Sequence, residues 1–509
     1  MTALLAQVSD FVWLVPALPL LAASSIASRV LFGRARGDGA EPLTANLAAL
    51  AALGGLLVLL AIDGNALWQS QVPGHRVLGV WFASGDWQAT VSFLLDALSL
   101  SVSSLTALIG WLVIRFSANY LHRETGFHHF FIVLSLFLAG MQIVLLAGNG
   151  LLAFVGWEIC GVASFLLIAY TWQRPVATGN ALFAFVTNRG GDAGFLLALG
   201  FSAAWLGSFE WPALTTGAAL SGANARLIAL GFVLAALAKS AQLPFTPWIT
   251  RALEGPTPSS AIFYGAVMVH AGVYLMLRLD PLLTQLPDVR AVLIFIGALT
   301  ALYAWLCGLV QTDVKSALIF ATVFQVALMF IEIGLGWTTL ATLHLCLHAA
   351  WRTWQFLLAP SWLVITRGQP AAPPAWLRHN QWLYTAAQQH FWLDKLGQAL
   401  LIQPTESFAR DLRRLEENFI DHAIGEPGQG QPIDPEHPLI LADGLPGHIL
   451  ASSADSLQRI ENRLLLRGRG GMADQLLRRL GSYLQTLENL LEQPRYLMMA
   501  VMATFVVIL

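Results

Sequence analysis

Lys239 closes the apolar run LIALGFVLAALA, and the chain continues SAQLPFTPW with prolines at 244 and 247. The sequence holds three lysines, Lys239, Lys315 and Lys395, against 25 arginines, so a lysine in such surroundings is not background. An ionisable side chain at the centre of a membrane helix costs about 2.5–3.5 kcal/mol and is therefore functional or paired. The other groups in that position are Glu158 in LLAFVGWEICGVASFLLIAY, Arg189 and Asp192 in TNRGGD, and His270 in VMVHAGVYL. His344, His348 and Arg352 follow at i, i+4 and i+8 of one apolar run. Three-residue spacing puts Arg189 and Asp192 on one helix face, where they can neutralise each other. Four-residue spacing makes the two histidines and Arg352 a single polar stripe.

The chemistry such a set can do is proton transfer. Burial opposes the charged form of a lysine, whereas a carboxylate beside it favours that form. A Lys239 whose charge depends on whether Glu158 is engaged is a switch. Pro244 and Pro247 remove backbone donors and interrupt the seventh helix, and a broken helix at membrane depth must line a hydrated or protein-packed cavity. The competing readings are a static Glu158–Lys239 pair locking two helices, and histidines that are merely packed core groups. A metal on His344 and His348 fits the i, i+4 spacing but lacks a third ligand, so no metal is expected. No cofactor is expected either. With no nucleotide loop or nucleophile constellation, no independent catalytic site is expected, and any enzymatic role is that of a subunit in a larger translocase.

The elements that must position these residues are membrane helices. The 509 residues are 56% hydrophobic and 11% charged, well below the roughly 25% charge of soluble domains. The expected fold is an all-α polytopic membrane protein in the lipid bilayer. No basic patch with interleaved aromatics suggests nucleic acid as a partner. Runs near 11–28, 44–63, 91–114, 127–147, 151–170, 185–206, 227–242, 259–277, 291–310, 316–334 and 338–364 each approach the ~20 residues a crossing needs. YLMMAVMATFVVIL at 496–509 is read as a twelfth, terminal membrane helix. Cations concentrate after odd-numbered spans (Arg29, Arg34, Arg36, Arg115, Arg123, Arg174, Arg251, Lys315). The positive-inside rule then places the N-terminus outside and the tail in the cytoplasm, in the cell inner (cytoplasmic) membrane. No cation precedes the first run, so it reads as a retained span and not a signal peptide. Cys160, Cys307 and Cys346 lie apart in apolar runs and read as core residues. GQPAAPPAW at 368–376 opens a charged region through 495, with helical spacing at 408–424 and an amphipathic stretch at 473–493 suited to the membrane surface or a partner. The expected organisation is N-terminal helices over 1–90, a core over 91–364, a cytoplasmic linker and amphipathic tail over 365–495, and the terminal helix over 496–509.

WEICGVASFLL, TNRGGDAGF, AKSAQLPFTPWITRALEGPTPSSA and HLCLHAAWRTWQFLL resemble, in order, the antiporter-like proton-translocating subunits of respiratory complex I and of Mrp antiporters. The resemblance covers roughly residues 91–360, and FWLDKLGQALLIQPTESFARDL resembles the family's C-terminal region more weakly. It implies an antiporter-like fold in which Glu158 and Lys239 are the coupled pair, Arg189 and Asp192 a supporting pair, and His344 and His348 central-axis histidines. It also implies other subunits of a membrane complex as partners, with a cytoplasmic partner on the tail. The chain departs from the family at Arg352, where a lysine is usual, and at Tyr264, where a histidine is usual, His270 standing further along. An arginine cannot relay a proton by releasing it, so Arg352 is expected to act as a fixed barrier holding His344 and His348 neutral near about pH 7. The family's second broken helix has no counterpart here, so the second repeat reads as truncated. The leading expectation is proton or sodium conduction in a complex I-related assembly. The alternatives are a DAB-type subunit energising inorganic-carbon uptake with a zinc, carbonic-anhydrase-like partner, and a non-conducting membrane scaffold.

Overall fold

The computed structural model describes residues 8–415, apart from residues 36, 85–86, 217–221, 267 and 366–371. One compact unit runs to Ile402, and a second begins at Gln403. The first unit is built on α1 (Leu14–Leu31), α2 (Glu41–Gln69), α3 (Ala97–Tyr120), α4 (Phe127–Leu146), α5 (Gly150–Ile168), α6 (Pro175–Leu206), α7 (Gly222–Lys239), α8 (Ala271–Arg278), α9 (Pro287–Gly308), α10 (Val314–Gly334) and α11 (Thr338–Ile365). Each falls on one of the first eleven predicted runs, so the helical membrane fold expected from the sequence is the one observed. Eight helices among the described residues are long and apolar enough to cross a membrane. α6, α8 and α11 are not among them. α6 carries Arg189 and Asp192, α8 is short, and α11 carries His344, His348 and Arg352.

Three local differences matter. Residues 74–95 form an antiparallel hairpin, β1 (Gly74–Ser84) and β2 (Trp87–Leu95), where the third span had been expected to start at 91. β2, with β-branched Thr90 and Val91 and aromatic Phe93, suits a strand; it buries Phe93 and Leu95 against Val12, Leu59, Ile62 and Leu146. Asp96 then ends the strand and caps α3 in a capping box with Ser99. Second, α6 begins ten residues before the expected 185, so Arg189 and Asp192 lie in its middle. Third, the eighth run is itself broken. A short turn at Thr257–Ser260 passes into a π-helical turn at Ala261–Ala266, and the helix restarts after His270.

The predicted break in the seventh helix is present. α7 stops at Lys239 in a Schellman arrangement, with Gln242 N donating to Leu237 O and Ala241 N to Ala238 O. Ala241 takes the left-handed conformation (φ 51°) that this stop requires. The bond between Leu243 and Pro244 is cis, and Pro247 opens a short helix to Arg251. The polar groups freed by the break are met by neighbours. Trp248 Nε1 donates to Ala238 O at 2.8 Å, and Leu243 N to Thr300 Oγ1 at 3.0 Å. In the second unit, Gln403–Leu415 is helical, with Phe408 and Leu412 one turn apart and exposed. The predicted stretch 473–493, the terminal span 496–509 and most of 408–424 lie outside the described residues.

Candidate functional site

Close backbone contacts fix the site. Gly191 of α6 faces Ala238 of α7, and a Cβ on Gly191 would stand 2.2 Å from that methyl. Gly272 of α8 faces α7 from another side, where a Cβ would stand 2.3 Å from both Ala236 O and Ser240 Oγ. The end of α7 is thus clamped between α6 and the restart of α8. Lys239, its last residue, is 2% exposed and sits at the C-terminal, negative end of the helix dipole, where a cation is favoured.

Lys239 Nζ donates to Trp157 O at 3.4 Å and lies 5.0 Å from the Trp157 ring centroid. Gly161, one turn along α5, lies beside it: a Cβ there would be 3.6 Å from Nζ, an ordinary contact. Trp157 Nε1 donates to Asp192 Oδ1 at 2.7 Å. Arg189 donates to Asp192 Oδ2 at 3.4 Å and makes a close ion pair with Glu158. Glu158, Arg189, Asp192, Trp157 and Lys239 therefore form one connected chain. The direct Glu158–Lys239 contact expected from the sequence is replaced by this bridge. Successive helix residues point about 100° apart, so Trp157 and Gly161 face Lys239 while Glu158 turns to Arg189. The Arg189–Asp192 pair is present as expected, with Glu158 as its third member.

The second cluster lies across α8, α10 and α11. His270 Nε2 is 2.9 Å from His348 Nδ1, with His270 2% and His348 7% exposed. Arg352 Nη2 lies 3.5 Å from His348 Nε2, so the arginine adjoins His348 as expected. His344 turns away from it: its Nδ1 is 2.9 Å from Glu332 Oε1 and its Nε2 is 2.9 Å from Gln325 Oε1. The rings of His344 and His348 stand 6.2 Å apart, edge to face. Tyr264, at the position where a histidine is usual, is buried and donates to Ile249 O at 2.8 Å.

On α8 the residues one and two turns beyond His270 are Tyr274 and Arg278. Arg278 Nη2 donates to the Tyr274 hydroxyl at 2.8 Å, and Arg278 forms a close pair with Asp96 at the start of α3. Burial works against the Asp96 carboxylate, but the hydrogen bond and charge of Arg278 outweigh it and hold its pKa below the ordinary value. Among the described residues no group of three or more His, Cys, Asp or Glu stands close enough to hold a metal.

Sequence reasoning missed Trp157, Gln325, Glu332, Tyr274 and the Asp96–Arg278 pair. Glu332 carried a readable signal, a carboxylate inside the run VALMFIEIG. Trp157 carried none, because a tryptophan in an apolar span reads as core.

The fold and this row of buried charges define a multi-pass helical membrane protein with a polar interior built around interrupted helices. Residues 81–131 match the family model described as NADH-Ubiquinone oxidoreductase (complex I), chain 5 N-terminus. Residues 147–368 match that described as NADH:quinone oxidoreductase/Mrp antiporter, TM. NADH-quinone oxidoreductase subunit L of Mycobacterium tuberculosis is 35% identical over 353 residues, 69% of this chain and 55% of that protein. NADH-ubiquinone oxidoreductase chain 5 of Pongo abelii is 38% identical over 283 residues, 55% of this chain and 46% of that protein. The chain spans about half the length of these curated relatives. A solved Mrp complex from Dietzia sp. DQ12-45-1b shares the fold, with a TM-score of 0.58 at 22% identity, covering 97% of this chain and 62% of that one. The chain belongs to the antiporter-like membrane subunit family of NADH:quinone oxidoreductases and Mrp antiporters.

Proposed function

We propose that the protein conducts protons across the membrane as one subunit of a larger membrane complex. The observation that carries this reading is the connected chain Glu158–Arg189–Asp192–Trp157–Lys239. It ends at a helix break, and Gly272 packs that end of α7 against α8 two residues beyond the buried His270–His348 pair. A proton taken up by the Lys239 amine gives an ammonium held by Trp157 O and the negative end of α7. Its release to the histidine pair returns the neutral amine to a site where burial favours that form. Arg189 sets the state of the switch. When it engages Glu158 and Asp192 together, carboxylate charge is drawn away from Lys239. When it turns to Glu158 alone, Asp192 is free to attract the ammonium.

The complex would present its cation-rich face to the cytoplasm and its hairpin face outside. Its partners would be other membrane subunits, with a cytoplasmic one on the charged tail.

A double-mutant cycle tests the unit. In membrane vesicles holding the protein with its native partners, Lys239→Ala and Glu158→Gln should each lower proton flux by about a hundredfold. The double variant should be little worse than either, as for residues acting together. Additive losses would mean that the two residues act separately and that the chain is only a structural lock.

A further inference from the structure

Glu332 has no place in the path read from the sequence, yet the structure sets it at the end of the histidine row. Its Oε1 is 2.9 Å from His344 Nδ1, and Gln325 Oε1 is 2.9 Å from His344 Nε2. Both ring nitrogens of His344 thus face oxygen acceptors when the Gln325 amide, which can turn end for end, presents its oxygen. A neutral imidazole can donate to only one of them, whereas an imidazolium donates to both. With both acceptors in place, this corner can hold His344 as an imidazolium. It is the reverse of the His348 environment, where the Arg352 guanidinium, which only donates, faces Nε2.

The row has a buried end and a partly exposed one. His270 is 2% exposed and His348 7%, whereas the side chains of His344 and Glu332 are 20% and 14% exposed. Glu332 lies two residues before the end of α10, and Trp337 N donates to Glu332 O where the chain turns into α11. The end of α10 adjoins the start of α9: a Cβ on Gly334 would stand 2.9 Å from Arg290 O. The start of α9 is tied by Asp288–Arg226 to the start of α7, so this end of the row shares the membrane face of those termini.

We infer that Glu332 is the terminal proton-exchanging group of the histidine row, opening the path toward the face that holds the α10–α11 turn. The inference rests on the proposed proton path. A proton on His348 crosses to His344 over 6.2 Å between ring centroids, a gap that one water or a ring rotation spans. His344 then holds two N–H protons and donates one to the Glu332 carboxylate, becoming neutral as the acid forms. The acid gives that proton to water at the membrane face, restoring the carboxylate. Charge and protons balance at each step. The ionisable groups around His344 are Glu332 from α10, and His348 and Arg352 from its own helix; His270, just before α8, lies behind His348.

The test compares Glu332→Gln, Glu332→Asp and Lys239→Ala by proton flux against pH in vesicles carrying the native complex. Glu332→Gln keeps size and hydrogen bonding but cannot take the proton, so flux should fall on the order of tenfold or more. Glu332→Asp should restore part of it with a displaced pH profile, which a purely structural role would not produce. If Lys239→Ala abolishes flux while Glu332→Gln keeps wild-type flux and pH profile, the exit is elsewhere and this inference alone is overturned. If Lys239→Ala is without effect, the underlying path is wrong.

Discussion

Trp157 decides how the central charges are connected, because it uses its two polar groups in opposite directions. Its indole N–H serves Asp192 and its backbone carbonyl serves Lys239. Trp157→Phe keeps most of the ring but leaves buried Asp192 without its shortest donor, a loss of roughly 1–3 kcal/mol. Thermal unfolding should show that loss, together with weakened proton flux. Unchanged stability and flux would mean that Arg189 alone holds Asp192. Asp96 allows a sign to be worked out. Its folded-state pKa is depressed by Arg278, so its stabilising contribution is present above its unfolded pKa of about 3.9 and is lost as pH falls through the folded value. Asp96→Asn should therefore cost roughly 2–3 kcal/mol near about pH 7, and the gap from wild type should close only below about pH 4. A gap already closed at about pH 6 would contradict the pairing. Glu332 apart, the charged members of both clusters were read from the sequence because each stands out in an apolar run. Their partners were not, since helix-face geometry, and not proximity in sequence, gives Glu158 to Arg189 and His344 to Glu332.

Elements meet at glycines here, and that reverses the ordinary effect of a glycine substitution. Gly to Ala in a helix normally stabilises by about 0.5–1 kcal/mol. At Gly272 the new Cβ would stand 2.3 Å from Ala236 O and Ser240 Oγ, so Gly272→Ala should instead destabilise by roughly 1–3 kcal/mol through overpacking. It should also lower flux by separating α7 from the restart of α8. A variant at least as stable as wild type, with full flux, would show that the two helices are not clamped there. The break after Lys239 was legible because prolines announce it. The break before His270 was not: only Pro256 and Pro258 precede it, and the π-helical turn Ala261–Ala266 has no proline of its own. The hairpin was missed because VSFLLDALSLSV is apolar but for Asp96 and its serines, and length alone reads it as the start of a span.

At the scale of the whole molecule, cations gather more at one set of helix ends than at the other. Arg29, Arg123, Arg174 and Arg251 lie at or beside the ends of α1, α3, α5 and the short helix after the α7 break, whereas Arg226, Arg278 and Arg290 lie at the other ends of α7, α8 and α9. The hairpin belongs with the second set through Asp96 and Arg278. With the positive-inside rule, a single cysteine at Val80 should react with an impermeant maleimide from outside the cell, and one at Thr178 only after permeabilisation. The opposite pattern would invert the membrane orientation and the direction of the proposed exit at Glu332. The central claim, that protons cross through Lys239, is tested most directly by flux. Vesicles loaded with a pH dye and holding wild-type or Lys239→Ala protein with its native partners would be given a potassium diffusion potential without sodium. The account predicts potential-driven acidification in the wild type and a loss of about a hundredfold in Lys239→Ala, with equal amounts of assembled complex. Acidification at the wild-type rate in Lys239→Ala would contradict it.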